Sequence, residues 1–274
     1  MLTDARRFHD LTASTREILL SPGRDGGRSA FLRRWLRYPM EYQAARWIDQ
    51  LPIVSVPELF EQLGAREVTF PTPQLERRLW NLGALEQAVL CQVIRSIEAR
   101  AVFEIGTFDG ATTRLLASSL THPDGRVFTL DLPEEDFWRA QPPESFDGTM
   151  VGERFRGTPE EARILQLRGD SLTFDFSPWY GAIDVVLVDG CHDYVHGVAD
   201  SRTALRLVRP GGWIFWDDIV PRWHGLVRGI AEATRDRQVF WIEGTSLAAL
   251  RADGTNTPNT ANTANIANTA NENG

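Results

Sequence analysis

The chain contains no lysine, and all 29 basic residues among its 274 are arginine. This absence excludes enzymes that form a Schiff base through lysine, and P-loop enzymes, whose lysine binds phosphates. Cysteine is also scarce, since Cys91 and Cys191 are the only two in the sequence. Two distant cysteines, with no Cys/His pairs at the spacing of structural zinc sites, favour a reduced compartment. We therefore expect a cytoplasmic protein.

Long apolar runs and an excess of positive charge are absent as well. No run approaches the roughly 20 residues that a membrane span needs, and the N-terminus lacks the apolar segment of a secretory signal. The net charge of -8 argues against binding to a polyanion. These absences favour a small-molecule partner, with no nucleic acid and no membrane.

Composition and pattern divide the chain into three parts. Residues 1–74 are rich in arginine and aromatic residues, and we interpret them as a helical arm or lid. Such an arm would shape a substrate pocket and join copies of the chain into a homo-oligomer. Residues 75–251 alternate between strand and helix patterns. Residues 252–274 are a low-complexity Asn/Thr/Ala repeat that we expect to be disordered, because it cannot bury enough apolar surface to fold.

The alternation in the second part predicts the fold class. Strands are predicted at residues 101–105, 126–130, 164–167, 183–188, 213–216, 238–242 and 246–250. Helices are predicted at residues 31–48, 75–99, 111–120, 195–208 and 223–235. Such alternation indicates an α/β, Rossmann-like fold, with a mostly parallel seven-stranded sheet and helices on both faces. In this architecture, ligands bind outside the carboxyl ends of the strands.

A glycine loop follows the first strand of this domain, in the sequence EIGTFDGATT. Both NAD and S-adenosylmethionine bind at such loops, and both favour an acidic residue after the next strand, here Asp131, which accepts hydrogen bonds from the ribose. NAD requires G-x-G-x-x-G and places its pyrophosphate at the helix N-terminus. Here Gly106 and Gly110 give G-x-x-x-G, and Asp109 lies where the pyrophosphate would bind.

The charge at this loop favours S-adenosylmethionine. Its sulfonium and amino groups are cations, so Glu104, Asp109 and Asp131 are compatible with it, whereas a carboxylate beside a diphosphate is unfavourable. The alternative for Asp109 is a structural role at the helix start, where a negative charge stabilises the macrodipole.

Two later strands also end in carboxylates. The sequence IDVVLVD ends at Asp189, and RPGGWIFWDD ends at Asp217 and Asp218. Parallel strands would bring these three residues to one edge of the sheet, where oxygen ligands suit Mg²⁺. The alternative is that Asp217 or Asp218 caps the following helix.

His192 lies three residues beyond Asp189. Its ordinary pKa is near neutrality, so it could accept the proton of a substrate hydroxyl, but it could equally bind a loop carbonyl. Asp193 is expected to cap the helix that follows.

With these motifs in this order, the chain resembles the class I S-adenosylmethionine-dependent methyltransferases. Within them it is similar to the metal-dependent small-molecule O-methyltransferases of the catechol and macrocin type. The resemblance covers roughly residues 75–250. It rests on EIGTFDGATT, TLDLP, LRGDS, VDGCHDY and RPGGWIFWDD. It implies a methyltransferase domain over residues 75–251.

The resemblance implies roles for particular residues. Gly106, Phe108 and Thr112 would line the methionine part of the donor, and Asp170 and Ser171 would lie beside the adenine. The full set expected to contact the donor is Glu104, Gly106, Thr107, Phe108, Gly110, Thr112, Asp131, Asp170, Ser171 and Asp189.

The resemblance also implies the metal ligands, namely Asp189, Asp217 and Asp218. His192 stands where catechol-type enzymes have a lysine base. In sugar-modifying relatives, the carboxylate at the position of Asp217 serves as both ligand and base, so His192 and Asp217 both remain candidates for the catalytic base.

The sequence therefore predicts a methyltransferase that uses S-adenosylmethionine and Mg²⁺ to methylate a hydroxyl of a natural product, sugar or phenol. Three alternatives remain open. They are a metal-independent methyltransferase of the same fold, a NAD-dependent oxidoreductase, and a non-catalytic protein that binds the donor.

Overall fold

The computed structural model describes residues 39–65, 81–140 and 150–252, apart from the side chains of residues 138 and 140. Predictions on residues 1–38, 66–80, 141–149 and 253–274 lie outside the described residues. They include much of the predicted arm, the first part of each of the two N-terminal helices, and nearly all of the tail.

The strands form one sheet. They are β1 (Ile53–Val54), β2 (Ala101–Ile105), β3 (Arg126–Asp131), β4 (Ile164–Arg168), β5 (Ile183–Val188), β6 (Val208–Trp216), β7 (Phe240–Ile242) and β8 (Ala248–Arg251). Their order in the sheet is β1-β7-β8-β6-β5-β2-β3-β4. Only β8 runs antiparallel to its neighbours, β6 and β7. The mostly parallel sheet is confirmed, with eight strands rather than seven, because β1 joins the edge beside β7.

Seven α-helices are present in the described ranges. They are α1 (residues 39–50), α2 (Val56–Gln62), α3 (Ala84–Ser96), α4 (Ala111–Ser119), α5 (Glu134–Ala140), α6 (Tyr194–Leu207) and α7 (His224–Ala233). Short 3₁₀ helices cover Pro159–Arg163, Ser177–Trp179 and Pro221–Trp223. Within these ranges, no helix has both the length and the apolarity to cross a bilayer.

Alternating side chains of the sheet pack into two apolar clusters, one on each face. On β2, Phe103 belongs to the cluster that includes residues of α6 and α7, whereas Val102 belongs to the cluster that includes residues of α3 and α4. All five residues of β2 are buried. Because a strand presents successive side chains to opposite faces, each face of a central parallel strand must be covered by helices. The predicted arrangement of helices on both faces is confirmed.

Two predicted boundaries need correction. The helix predicted at residues 75–99 begins at Ala84, because residues 81–83 are not helical and Gly83 has the extended backbone of an N-cap. The sheet also begins before the predicted domain start at residue 75, since β1 pairs with β7 and Leu59 of α2 is completely buried in the core. Part of the predicted arm therefore belongs to the sheet domain.

The strand order fixes where a ligand can bind. The chain passes from β2 outward through β3 and β4, then returns to the other side of β2 with β5 and β6. The reversal between β2 and β5 is a topological switch point, where the loops at the carboxyl ends diverge and leave a crevice. Gly106 follows β2 and Asp189 follows β5, so both lie at this crevice.

Candidate active site

Gly106 lies where the ends of three strands meet. Its amide donates to the carbonyl of Leu130 (2.8 Å), and the Asp189 amide donates to the carbonyl of Ile105 (2.8 Å). The φ of Gly106 is +103°, and a Cβ built there would be 2.0 Å from the carbonyl oxygen of Asp189. Only glycine fits this position, because both the backbone angle and the close approach exclude a side chain.

Asp131 holds the glycine loop in place. Its Oδ2 accepts hydrogen bonds from the amides of Thr107 and Phe108, each 2.8 Å long, while Oδ1 accepts from the amide of Leu132. Burial is the main cause that raises the pKa of Asp131, and the backbone hydrogen bonds oppose it. Asp131 is partly exposed as a residue, and its Oδ1 retains lone-pair capacity for a further donor such as a ribose hydroxyl.

Asp109 occupies the N-terminus of α4. Its Oδ1 accepts from the amide of Ala111 (2.9 Å) and from Asn81 (3.1 Å), and Oδ2 lies 3.4 Å from Arg154. The side chain is 1% exposed. The structural role foreseen for Asp109 is therefore present. The same contacts place a carboxylate at the helix end where a dinucleotide would need its pyrophosphate.

Glu104 lies beneath the loop rather than in the crevice. It has no accessible surface, and its Oε2 accepts from the hydroxyls of Thr113 (2.5 Å) and Thr129 (2.6 Å). The prediction that Glu104 contacts the donor is corrected, because strand alternation turns its side chain toward α4, on the same face as Val102. It links β2 and β3 to α4 instead. Burial raises the pKa of this carboxyl to about 8.

Replacement of Glu104 should change how stability depends on pH. Because the pKa is raised from 4.5 to about 8 on folding, the folded state binds the extra proton between these values. The contribution of Glu104 to the free energy of unfolding is therefore fully present below pH 4.5 and is lost as the pH rises through 8. Between these values its slope approaches about 1.4 kcal/mol per pH unit. Glu104→Gln should remove this slope, as measured by urea unfolding at several pH values between 5 and 8. Equal slopes in both proteins would contradict the prediction.

The predicted adenine residues follow β4. Asp170 and Ser171 are both partly buried, and the Asp170 side chain accepts from the amide of Leu172 (2.9 Å). Ser171 is hydrogen-bonded to Asp200, a buried carboxylate of α6. Thr112, predicted to contact the methionine part, is partly buried on the first turn of α4. The loop residues and Asp170 thus follow β2, β3 and β4 at one edge of the sheet.

The three predicted metal ligands converge. Asp189 follows β5, and Asp217 and Asp218 follow β6, and each offers a carboxylate oxygen within 4.8 Å of the others. Burial raises the pKa of Asp189 well above its ordinary value, and the nearby charges of Asp217 and Asp218 raise it further. Burial likewise raises the pKa of Asp217 to about 6. Such a cluster of like charges is favourable when a cation binds it.

Asp217 and Asp218 make specific contacts, and neither caps a helix. Asp217 is 9% exposed, and its Oδ1 accepts from the Ser246 hydroxyl (2.5 Å). Neither Pro221–Trp223 nor α7 has a side-chain cap, so the alternative of a helix cap is wrong for both residues. Asp218 has a left-handed φ of +59°, which aspartate tolerates better than most residues.

His192 belongs to the same cluster. Its Nε2 lies 2.8 Å from Oδ2 of Asp218, and its ring stacks on Trp223 with 4.4 Å between centroids and 13° between planes. These two contacts fix the orientation of the imidazole. The hypothesis that His192 binds a loop carbonyl is not supported, because its contact is with a carboxylate of the cluster.

Some residues around the cluster were not predicted. Ser246 joins Asp217 to Glu86 of α3, whose Oε1 accepts from the Ser246 amide (3.1 Å). Trp223 supports His192. These side chains come from the turn before β8, from α3 and from the 3₁₀ helix before α7, so only the tertiary fold brings them together, and no local motif marks them.

A cavity of about 670 Å³ opens beside His192. Its walls come from α1, from the segment after β5, and from α7 with the turn before it. Aromatic and apolar residues form much of the lining, and they are Met40, Ala44, Trp47, Tyr194, Trp223, Val227 and Ala231. Charged lining residues are Asp193, Arg222 and Arg228. The cavity is large enough for a small organic molecule.

Comparison with solved structures finds similar chains of low sequence identity, among them O-methyltransferases. An O-methyltransferase from Bacillus cereus in complex with SAH is 20% identical, covering 71% of this chain and 89% of that one, with a TM-score of 0.48. Cofactor-bound Rv0187 from MTB is 22% identical, covering 73% and 89%, with a TM-score of 0.48. The O-methyltransferase TomG from Streptomyces achromogenes, involved in tomaymycin synthesis and in complex with SAM, is 19% identical, covering 92% and 100%, with a TM-score of 0.46.

The sequence itself matches a protein family. Residues 103–219 match the family Methyltransf_24, described as a methyltransferase domain, while no curated protein matches the chain. The matched residues run from β2 through the carboxylates after β6. They therefore include the glycine loop and the acidic cluster, which consists of Asp189, Asp217 and Asp218. The match indicates a methyltransferase domain over residues 103–219, on a sheet of Rossmann-like fold.

Proposed function

We propose that the enzyme methylates a hydroxyl group of a small molecule with the assistance of Mg²⁺. The convergence of Asp189, Asp217 and Asp218 beside the oriented His192 carries this proposal. A methyltransferase site that only held the donor would not need three carboxylates and an imidazole on the acceptor side of the crevice.

The cluster has the chemistry that Mg²⁺ requires. Mg²⁺ prefers oxygen ligands and usually retains waters and substrate groups among its ligands. Asp217 accepts from Ser246 through Oδ1 and Asp218 contacts His192 through Oδ2, while one carboxylate oxygen of each of the three aspartates lies within 4.8 Å of the others. A bound Mg²⁺ would hold the acceptor hydroxyl and lower its pKa.

The donor would bind along the loop side of the crevice. Gly106, Phe108 and Thr112 would line the methionine part, with Asp131 at the ribose and Asp170 at the adenine. Support comes from the order of β2, β3 and β4, which places these residues in sequence along one edge. S-adenosylmethionine supplies an electrophilic methyl group, and the chain's role is to hold that methyl in line with the acceptor oxygen.

The cavity beside His192 would bind the acceptor. Its tryptophans and aliphatic side chains favour a flat, largely apolar molecule, so among the expected acceptors a phenol suits it better than a sugar. The hydroxyl to be methylated would then lie toward the carboxylate cluster, because His192 lines the cavity and also contacts Asp218.

We assign the proton acceptor to His192. A base held by a carboxylate is a recurring arrangement, since the carboxylate fixes the tautomer and stabilises the protonated ring. With Nε2 directed at Asp218, Nδ1 is the nitrogen that can accept the hydroxyl proton. Asp218 and the stacked Trp223 would then act as positioning residues.

Replacement of His192 distinguishes the two candidate bases. His192→Gln should lower kcat by about 10²–10⁴, the usual contribution of a general base, while the affinity for S-adenosylhomocysteine stays within twofold. If kcat is unchanged, His192 is not the base, and Asp217 becomes the candidate.

A binding and turnover experiment tests the proposed function. S-adenosylmethionine, S-adenosylhomocysteine and NAD are titrated separately into the purified protein by calorimetry, and a panel of phenols and sugars is then assayed with Mg²⁺ and with EDTA. We expect the first two ligands to bind at micromolar concentrations, NAD not to bind, and a phenol to be methylated only with Mg²⁺. Turnover that is insensitive to EDTA would favour the metal-independent alternative. NAD binding would favour an oxidoreductase, and donor binding without turnover a non-catalytic role.

A further inference from the structure

A second cluster of metal-ligating side chains lies at the start of α6, outside the acidic cluster. Cys191, Asp193 and His196 each offer one ligand atom, and these atoms all lie within 4.8 Å of one another. Sγ of Cys191 is 3.3 Å from Oδ2 of Asp193, and Nδ1 of His196 is 2.8 Å from the same oxygen. We propose that these three residues bind a borderline divalent cation of the zinc class.

The donor types select this class of ion. A thiolate, an imidazole and one carboxylate oxygen are ligands that Zn²⁺ accepts, whereas Mg²⁺ prefers oxygen alone. The acidic cluster has only oxygen ligands, so the two sites should bind different metals. The sequence Cys-x-Asp-x-x-His differs from the spacing of structural zinc sites, since an aspartate and a helix turn bring Cys191 and His196 together.

The helix cap leaves the required atoms available. Asp193 caps α6 by accepting the His196 amide on Oδ1 (2.9 Å), so Oδ2 can bind an ion without loss of the cap. In a tetrahedral site with bonds of about 2.0–2.3 Å, the ligand atoms lie about 3.3–3.7 Å apart. The 2.8 Å between Nδ1 and Oδ2 would therefore widen by about half an ångström, whereas the 3.3 Å between Sγ and Oδ2 already lies within this range. The thiol proton of Cys191 and the Nδ1 proton, where present, would pass to solvent.

The surroundings of His196 support ligation through Nδ1. Its Nε2 makes an ion-pair contact of 3.8 Å with Oδ1 of Asp170, which is longer than a hydrogen bond. A histidine that binds a metal usually donates its other ring N–H to a carboxylate, which fixes the tautomer. Asp200, only 2% exposed, adds negative charge nearby, and its Oδ1 has no hydrogen-bond partner among the described residues.

The position of the site gives it a role in the enzyme. His192 lies between Cys191 and Asp193 in the chain, and all three line the cavity beside the acidic cluster. An ion bound there would fix the segment that carries His192 and would form part of the cavity wall.

Cadmium provides a direct test, because a Cd²⁺–thiolate bond gives a charge-transfer band in the ultraviolet. Reduced protein is titrated with Cd²⁺ in excess Mg²⁺, which occupies the acidic cluster, and Zn²⁺ is then added as competitor. We expect one equivalent of Cd²⁺ to generate the band and Zn²⁺ to abolish it. Cys91 is completely buried, so it should not contribute.

Variants separate this site from other modes of binding. Cys191→Ser should lose the band. His196→Gln and Asp193→Asn, which keep the thiol, should weaken binding by at least about 100-fold, the upper end of the loss for an outer-shell partner. Asp170→Asn should weaken it by about 10-fold, and His122→Gln and Asp217→Asn should not change it.

Thermal unfolding checks that each variant is folded. The proposal is overturned if no band forms at one equivalent, if the band persists in Cys191→Ser, or if His196→Gln and Asp193→Asn both bind Cd²⁺ as tightly as the unmodified protein. None of these outcomes depends on methyl transfer, so failure here is distinct from failure of the proposed function.

Discussion

Asp217→Asn should abolish most methyl transfer without unfolding the enzyme. The substitution keeps an oxygen that can accept from the Ser246 hydroxyl, so the local hydrogen bond survives. It removes one of three converging negative charges, and with it a ligand of the proposed Mg²⁺ site. We expect turnover to fall by about 10²–10⁴, a loss comparable with removal of a general base. The assay is the formation of S-adenosylhomocysteine with the phenol found in the acceptor screen.

Controls distinguish this loss from a structural defect. Binding of S-adenosylhomocysteine should stay within about twofold, because most of the proposed donor residues follow β2, β3 and β4. The melting temperature should not fall, since fewer like charges then converge at a partly buried site. Asp124→Asn changes an exposed carboxylate, 89% accessible, and should leave all three measurements unchanged. Unaltered turnover in Asp217→Asn would contradict the metal-assisted proposal and favour the metal-independent alternative.

The strands near the centre of the sheet could be predicted because their sequence pattern is local. Ile183–Val188 is an apolar run interrupted once, and its observed bounds are those predicted. Arg126–Asp131 differs from its prediction by one residue. Central parallel strands are buried on both faces, so nearly every residue must be apolar, and this requirement is visible in a single sequence.

The edge of the sheet could not be predicted in the same way. β1 contains two residues, and its pairing with β7 depends on a segment nearly 190 positions away, between Ile53 and Trp241. α5 lies within a polar stretch rich in acidic residues and proline, where no apolar period marks a helix. Such short elements are stabilised by tertiary contacts rather than by their own pattern.

The same distinction applies to the candidate site. Asp189, Asp217 and Asp218 could be predicted to converge because the carboxyl ends of parallel strands share one edge. Because side chains alternate along β2, the sequence could also have shown that Glu104 is turned toward α4 rather than into the crevice. By contrast, Ser246 and Glu86 reach Asp217 from a turn and a helix that are remote in sequence. Their role depends on packing between elements, and single-sequence patterns do not encode it.

Gly106→Ala should have the largest effect on the donor side. The φ of +103° is unfavourable for alanine, and the new Cβ would be 2.0 Å from the Asp189 carbonyl oxygen and 2.6 Å from its carbon. Both of these atoms belong to the backbone at the end of β5, so the clash cannot be relieved by a side-chain rotation. We expect the free energy of unfolding to fall by about 3 kcal/mol or more, with loss of S-adenosylhomocysteine binding.

Gly157→Ala separates backbone strain from the clash. Gly157 also has a positive φ, +70°, but a Cβ there would meet nothing within 4 Å. Alanine should therefore cost only the strain of the left-handed conformation, about 1–2 kcal/mol, and donor binding should persist. Urea unfolding and calorimetry on both variants measure the difference. If the free energy of unfolding and the donor binding fell equally in the two variants, β2 and β5 would be able to separate at their ends. The crevice would then not be the rigid switch point on which the placement of donor beside acceptor depends.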